Sequence, residues 1–124
     1  MPVDPQRGEI WLVDFEPTRG AEMRKTRPAV VVSSPDVGRL PLRLVIPLTT
    51  WTEAYGRLPW LVPIAPSSQN GLSRPSGADS FQIRSVSIER MRSRVGSIHP
   101  SILNSIMAAI LLCIGYEGAG DPGV

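Results

Sequence analysis

The stretches EIWLVDF (residues 9–15) and PAVVVSS (residues 28–34) decide the fold class of this chain. In the first, apolar residues occupy both alternating sets of positions. This predicts a strand with one face toward the core and the other toward a helix or a partner. The second is a valine-rich run opened by Pro28, at a position that a strand tolerates. Both stretches are therefore predicted as β-strands.

Further strands follow, separated by segments that contain many of the 13 prolines and 11 glycines. Such frequent interruption of β-rich segments favours a small barrel over a helical bundle. The further strands are predicted at residues 42–50, 58–64, 81–86 and 94–98. Pro47 interrupts the first of these, so that strand either bends or lies at a sheet edge there. Composition predicts loops at residues 16–26 and 69–80.

One helix is predicted near the end of the chain. It begins after His99, with Pro100 or Ser101 near its N-terminus, and Gly115 is its expected C-terminal stop. Its apolar residues cover most of its circumference: Ile102, Leu103, Ile106, Met107, Ala109, Ile110, Leu111, Cys113 and Ile114. The barrel and a second subunit are therefore expected to cover it on two sides. Residues 1–116 are predicted to form a single domain and residues 117–124 a frayed tail.

Composition also bears on the class of protein. One cysteine and one histidine leave no internal disulfide and no ordinary zinc cluster. No metal site and no cofactor are expected. The start, MPVDPQRGE, lacks the apolar segment of a signal peptide. The longest apolar run, residues 106–114, has about half the length of a membrane span. A cytoplasmic protein without membrane contacts is predicted.

The basic residues favour a nucleic-acid partner. All 13 precede Val95, and only Lys25 is a lysine. The planar arginine fork suits phosphate groups and stacking on bases, although an arginine-rich composition inherited from a GC-rich genome would look the same. Composition alone does not separate the two explanations.

Two groups of motifs resemble the MazF/PemK family of toxin endoribonucleases. The first joins RGEIWLVDFEPTRGAE (residues 7–22) to KTRPAVVVS (residues 25–33). The second comprises VIPLTT (residues 45–50), then Gly71-Leu72 and QIRSV (residues 82–86). These motifs occur in the order and at the spacing of the family across nearly the whole chain.

The resemblance implies a mainly β fold with a C-terminal helix, a small SH3-like β-barrel of the CcdB/MazF/PemK kind that is usually a homodimer. It also implies a type II toxin–antitoxin function. The toxin would cleave single-stranded RNA at selected sequences without a metal, and a cognate antitoxin protein would neutralise it. Neither a DNA partner nor a membrane is expected.

The resemblance also assigns the reaction to particular residues. RNA is cleaved when its 2′-OH attacks the adjacent phosphorus, so the site must position that attack and stabilise the added negative charge. Arg27 matches the catalytic arginine of the family, and its charged fork suits phosphate oxygens. Thr49 matches the catalytic threonine, with Thr50 as the alternative one position along. Glu22 matches an acidic loop residue that would either accept the 2′-OH proton or order the loop over the substrate, although an exposed loop carboxylate explains it equally well.

Several residues are predicted to bind the substrate: Gln82, Arg24, Lys25 and Thr50. Phe81 replaces a residue that is often acidic in the family, and packing in the core is expected of it rather than stacking on a base. Trp51 and Trp60 are expected in the core or at a dimer interface. His99 is expected to be structural.

Two alternative functions share this fold. A gyrase poison is expected to act through an aromatic residue at its extreme C-terminus, and the end GAGDPGV (residues 118–124) has none. A non-catalytic SH3-like binding module is the other alternative. The presence of both Arg27 and Thr49 counts against it.

Overall fold

A computed structural model describes residues 3–16, 20–21, 25–37 and 39–117. The described chain contains seven strands and one α-helix, which are β1 (Glu9–Asp14), β2 (Thr26–Val31), β3 (Leu42–Thr50), β4 (Leu61–Ile64), β5 (Ser76–Asp79), β6 (Arg84–Ser87), β7 (Met91–Ser97) and α1 (Pro100–Cys113). All strand pairs are antiparallel, in the order β4-β5-β3-β2-β1-β7, and β6 pairs with β3. The predicted mainly β fold with a C-terminal helix is confirmed.

β3 changes its neighbour at Pro47. Its first residues pair with β6 and its last three pair with β5. The Val32 amide donates to the Leu44 carbonyl at 2.9 Å, so even-numbered β3 residues direct their backbone groups to β2 and odd-numbered ones to β5 and β6. Pro47 has no N–H to donate on that second side, at the position where the register shifts. β3 is a central strand, so the predicted alternative of a sheet edge is wrong, and the strand instead changes its neighbour at Pro47.

Apolar side chains fill two cores on opposite faces of β2 and β3. Val30, Ile46 and Ile106 are fully buried in the first core, between the sheet and α1. Val31 and Val45 point the other way, into the second core. The alternation of side chains along a strand produces this division. The prediction that β1 is apolar on both faces is explained in the same way, since it contributes to both cores.

The loop after β4 lies against β7, the strand at the other end of the sheet order. The Ser97 amide donates to the Gln69 carbonyl at 3.1 Å. Gly71 has a φ of +70°, and a Cβ added there would lie 2.3 Å from the Val95 carbonyl oxygen. Two backbone segments thus meet without intervening side chains, and the loop completes the wall of a partly open barrel.

The predicted loop at residues 69–80 is wrong in its last part, because Ser76–Asp79 forms β5. Its sequence, SGAD, contains no large apolar residue, so the alternating hydrophobic pattern that indicates a strand is absent. A Cβ added at Gly77 would lie 3.0 Å from Leu61 and 3.1 Å from Trp51, so the packing leaves little room for a larger side chain.

Other predicted strands shift at their ends. The predicted strand at residues 81–86 begins too early, because Ser80–Gln82 forms a 3-10 turn in which the Asp79 carboxylate accepts from the Phe81 amide. The remaining strands are β1 at 9–14 (predicted 9–15), β2 at 26–31 (predicted 28–34), β4 at 61–64 (predicted 58–64) and β7 at 91–97 (predicted 94–98). The third β-strand was predicted with the bounds that it has.

Both ends of α1 have side-chain or backbone caps. His99 is the N-cap, and its Nδ1 atom accepts from the Ser101 amide at 3.1 Å, which gives this histidine a structural role. At the other end, Gly115 has a φ of +73°. The Gly115 amide donates to Leu112 and the Tyr116 amide to Leu111, as in a Schellman motif. Residues 118–124 of the predicted tail lie outside the described residues.

In the part of the chain that the structure describes, no helix is both long enough and apolar enough to cross a membrane.

Because β7 and the loop after β4 approach so closely, adding one methyl group at Gly96 of β7 is predicted to destabilise the protein strongly. A Cβ added at Gly96 would lie 2.5 Å from the Asn70 carbonyl, which cannot move aside as a flexible side chain would. Gly96→Ala should lower the free energy of unfolding by about 2–3 kcal/mol in urea denaturation. Gly56→Ala is the matched control, since nothing lies within 4 Å of its added Cβ. Equal stability of the two variants would contradict the described contact.

Candidate functional site

A cleft opens where β2 and β3 part. Their pairing runs from Val31 opposite Val45 to Ala29 opposite Pro47, and it stops there. The next pair in the same register would require an N–H from Pro28, because even-numbered residues of β2 face β3. Proline has none to donate. The ladder therefore ends, and a cavity of about 160 Å³ lies beside the separated strands.

The cavity brings together three of the residues predicted to form the site. Its walls comprise Arg27, Pro28, Leu48, Thr49, Thr50, Leu72, Ser73, Arg74 and Ser76. Arg27 comes from β2 and is half-buried, whereas Thr49 and Thr50 come from the end of β3. No carboxylate is among these lining residues, so the cleft offers a guanidinium, hydroxyls and a second arginine. This combination suits an anion.

The other predicted residues are more widely placed. Lys25, exposed and with a φ of +68°, precedes β2, and its amide donates to a Glu16 carboxylate oxygen at 3.0 Å. Gln82 lies in the 3-10 turn before β6, where its Nε2 donates to Asp79 at 3.0 Å, and it is not among the cavity-lining residues. Glu22 and Arg24 lie outside the described residues.

Asn70 fixes the loop that forms the far wall of the cleft. This side chain is only 3% exposed. Its Oδ1 accepts from the amides of Ser67 and Leu72, both at 3.0 Å, and its Nδ2 donates to the Ala65 carbonyl at 2.8 Å. Sequence reasoning missed this residue and the cavity-lining Arg74. The Asn70-Gly71 pair was the available signal, because this dipeptide favours tight turns.

Two carboxylates on β1 have lowered pKa values but lie away from the cleft lining. Burial opposes ionisation of Glu9, yet hydrogen bonds from Gln6, Trp11 and Arg94 hold its pKa below the ordinary value. The pKa of Asp14 is lowered by the Glu16 amide and then by Arg92. A general base works best with a pKa near the operating pH. Both groups form ion pairs with arginines of β7, Asp14 with Arg92 and Glu9 with Arg94.

Two aromatic pairs lie outside the cavity lining. Trp51 contacts Tyr55 edge-on, with ring centroids 5.9 Å apart, and Trp60 lies 6.1 Å from Phe81. Phe81 is 65% exposed, so its expected place in the core is wrong. The turn directs it outward because the preceding residue, Ser80, is the fully buried one.

Within residues 3–16, 20–21, 25–37 and 39–117, no group of three or more His, Cys, Asp or Glu side chains is placed to hold a metal ion.

Residues 6–114 match the family described as the PemK-like, MazF-like toxin of type II toxin–antitoxin systems. The chain belongs to this family. The endoribonuclease MazF9 of Mycobacterium tuberculosis is 33% identical over 110 residues, which span 86% of this chain and 93% of the relative. The endoribonuclease toxin MazF of Escherichia coli K12 is 31% identical over 113 residues, 90% of this chain and 95% of the relative.

Solved structures of MazF proteins share the fold. The crystal structure of MazF from Deinococcus radiodurans has a TM-score of 0.73 at 23% identity, covering 90% of this chain and 96% of that one. A mycobacterial endoribonuclease in complex with its cognate antitoxin has a TM-score of 0.71 at 19% identity, covering 93% and 99%. The described strands and α1 are therefore arranged as in the MazF/PemK family.

The hydrogen bonds of Asn70 predict how strongly the cleft wall depends on it. Asn70→Ala removes the hydrogen-bond partner of the Ser67 and Leu72 amides and of the Ala65 carbonyl, so the free energy of unfolding should fall by about 2–4 kcal/mol. The measurement is urea denaturation followed by tryptophan fluorescence. Asn104→Ala, the same substitution on the exposed face of α1, should change stability by less than about 0.5 kcal/mol. A comparable loss in both variants would show that Asn70 does not hold the loop.

Proposed function

We propose that this member of the MazF/PemK family is the toxin of a type II toxin–antitoxin system, and that it cleaves single-stranded RNA at selected sequences without a metal. The observation that carries the proposal is the meeting of Arg27 with Thr49 in the cleft between β2 and β3. The relatives named as endoribonucleases support it.

The reaction is an internal transfer of the phosphoryl group. The 2′-OH attacks the adjacent phosphorus and the bond to the 5′-oxygen breaks, so the products carry a 2′,3′-cyclic phosphate and a 5′-OH. The 2′-OH proton passes to a base, and the leaving oxygen takes a proton. DNA has no 2′-OH and is therefore not a substrate for this reaction.

Arg27 and Thr49 act on the charge that builds on the phosphate. The Arg27 guanidinium holds two phosphate oxygens, since it is a planar fork of N–H donors whose geometry matches a phosphate. The Thr49 hydroxyl donates to a non-bridging oxygen, with Thr50 as the alternative in the neighbouring position. Such preorganised donors lower the barrier because they require no rearrangement as charge develops. We assign Glu22, four residues before β2 in the sequence, as the acceptor of the 2′-OH proton.

The remaining basic and polar residues bind the RNA strand around the cut. Lys25 precedes Arg27 by two residues and, with Arg24, contacts the phosphate backbone. Contacts of this kind supply affinity and salt dependence rather than base selection. Gln82, held by Asp79, and Thr50 contact the nucleotides near the cleavage site. The cytoplasm, where RNA substrates are available, is the proposed location.

The direct test is cleavage of a long unstructured RNA by the purified protein in excess EDTA. Cuts at a short recurring sequence, with 2′,3′-cyclic phosphate and 5′-OH ends, are expected. Arg27→Ala should lower the rate at least about a hundredfold, as expected when a preorganised donor to developing charge is lost. Arg39→Ala removes the same charge from an exposed position outside the cleft and should leave cleavage unchanged.

Cleavage that requires an added metal, or equal rates for wild type and Arg27→Ala, would contradict the proposed mechanism. The absence of cleavage in any of several varied RNAs would contradict the ribonuclease function itself.

We further propose that the protein is a homodimer, and that an apolar surface around the C-terminal end of α1 forms the interface. The exposed apolar residues there are Phe81, Leu111, Leu112, Ile114 and Tyr116. A groove of about 460 Å³ between α1 and β4 adjoins this surface and is lined by Pro59, Pro63, Ala108 and Leu112 among others. An exposed apolar area of this kind is typical of a protein–protein interface. A cognate antitoxin, of the kind that accompanies the mycobacterial relative, is the proposed neutralising partner.

Leu112 is 53% exposed and lies at the junction of the groove and the α1 surface. Leu112→Glu places a charge where the partner copy would bury it, which is strongly unfavourable. The variant should sediment as a monomer at concentrations at which the wild type is a dimer. Val37→Glu makes the same kind of change at an exposed apolar residue far from α1 in the chain and should remain dimeric. Monomerisation by both variants would argue against this interface.

A further inference from the structure

The arginines of the described residues divide into those with a partner and those without. Most have an ion pair, a hydrogen bond to the backbone or another contact: Arg7, Arg27, Arg43, Arg84, Arg90, Arg92 and Arg94. The guanidinium groups of three described arginines have no hydrogen-bond or ion-pair partner among the described residues, namely those of Arg39, Arg57 and Arg74. Of these three, only Arg74 lines the cleft that contains Arg27 and Thr49.

The backbone holds Arg74 in a fixed position at the wall of the cleft. Its carbonyl accepts from the Ser76 hydroxyl at 3.1 Å, and the carbonyl of the next residue, Pro75, accepts from the Trp51 amide at 3.0 Å. The loop before it is anchored by Asn70. A cationic side chain without a partner thus projects from a rigid support. This arrangement favours ligand binding because little backbone order is lost when the ligand arrives.

The strand register shows where Arg74 lies relative to Thr49. Thr49 is opposite Gly77 and Thr50 is opposite Ser76, and the bond from Trp51 to Pro75 continues the same register. Arg74 is therefore three residues from the partner of Thr49 in the sequence, in the bend that precedes β5. It lies along the cleft from the pair formed by Arg27 and Thr49.

We propose that Arg74 is a substrate-binding residue that holds the non-scissile phosphate next to the cleavage site, while Arg27 and Thr49 act on the scissile phosphate. This inference rests on the proposed ribonuclease function. The planar guanidinium can donate two hydrogen bonds to such a phosphate. Two arginines at different positions along the cleft would fix the register of the RNA strand, so that the 2′-OH of one particular nucleotide meets Arg27.

The test combines Arg74→Gln with RNA oligonucleotides that contain the cleavage site mapped with the wild type. In each oligonucleotide one phosphate near the cut, other than the scissile one, is replaced by an uncharged methylphosphonate. The wild type should lose about 10- to 100-fold in kcat/KM at one of these positions, as expected for a charged hydrogen bond. Arg74→Gln should show a similar loss on unmodified RNA and little further loss at that position. The loss should lie mainly in KM, since the contact persists from bound substrate to transition state.

Two further measurements separate a contact with phosphate from a general effect. The slope of log affinity against log salt should fall by about 0.7 in Arg74→Gln, the value for one phosphate on a single strand. Arg74→Lys should keep that slope while recovering only part of kcat/KM, because lysine lacks the planar fork. Arg39→Gln, the matched loss of an unpartnered arginine outside the cleft, should behave as the wild type in both measurements.

Wild-type cleavage by Arg74→Gln would overturn the role of Arg74 and leave the ribonuclease function standing. The role of Arg74 would also be overturned if every methylphosphonate lowered kcat/KM by the same factor in Arg74→Gln as in the wild type. If the wild type cleaves none of the RNAs, both this inference and the proposed function are overturned.

Discussion

Two missing N–H groups shape the centre of this molecule. Pro28 on β2 and Pro47 on β3 each lack the N–H that the next hydrogen bond of a ladder would require, Pro28 on the side of β3 that faces β2 and Pro47 on the side that faces β5 and β6. Pro47 lies where β3 leaves β6 for β5, and Pro28 lies where β2 leaves β3. Each missing bond costs about 0.5–1.5 kcal/mol of potential stabilisation. In exchange, the sheet bends and a cleft opens, with Thr49 and Arg27 at its sides.

The cleft keeps its shape because the strands around it cannot shift. Val30 and Ile46 are buried against α1, while Val31 and Val45 are buried in the opposite core. A slip of one residue in either strand would exchange the two sets of side chains between cores of different shape. The two cores thereby fix the register up to Pro47, and the separation beyond it has a defined position.

The sequence predicts those parts of the structure in which local chemistry and tertiary packing agree. The bounds of β3, the start of α1 at Pro100 and its glycine stop were all predicted from local sequence. β5 was missed because Ser76–Asp79 owes its place to a lack of bulk, and the need for small residues between Leu61 and Trp51 exists only in three dimensions. Phe81 was misplaced for a related reason, since a tight turn reverses which residue faces inward.

The residues of the candidate site also fall into two groups, those predicted from sequence motifs and those that only the structure reveals. Arg27, Thr49 and Thr50 were found through a resemblance that motifs within strands carry, and the structure brings these three residues together. Asn70 and Arg74 belong to a loop without a comparable motif. Their importance arises from contacts with residues distant in sequence, such as the bond from Trp51 to Pro75.

The arginine content illustrates why composition alone left two explanations open. Arg92 and Arg94 neutralise the β1 carboxylates Asp14 and Glu9, and Arg43 binds Asp4 together with backbone carbonyls. Such arginines stabilise the fold whether or not RNA is present, so their number says little about a polyanionic partner. An arginine marks a binding surface when the fold leaves its charge without a partner beside a cleft of suitable chemistry. A sequence gives the count of charges, but only the pairing in the folded chain shows which of them are available to a ligand.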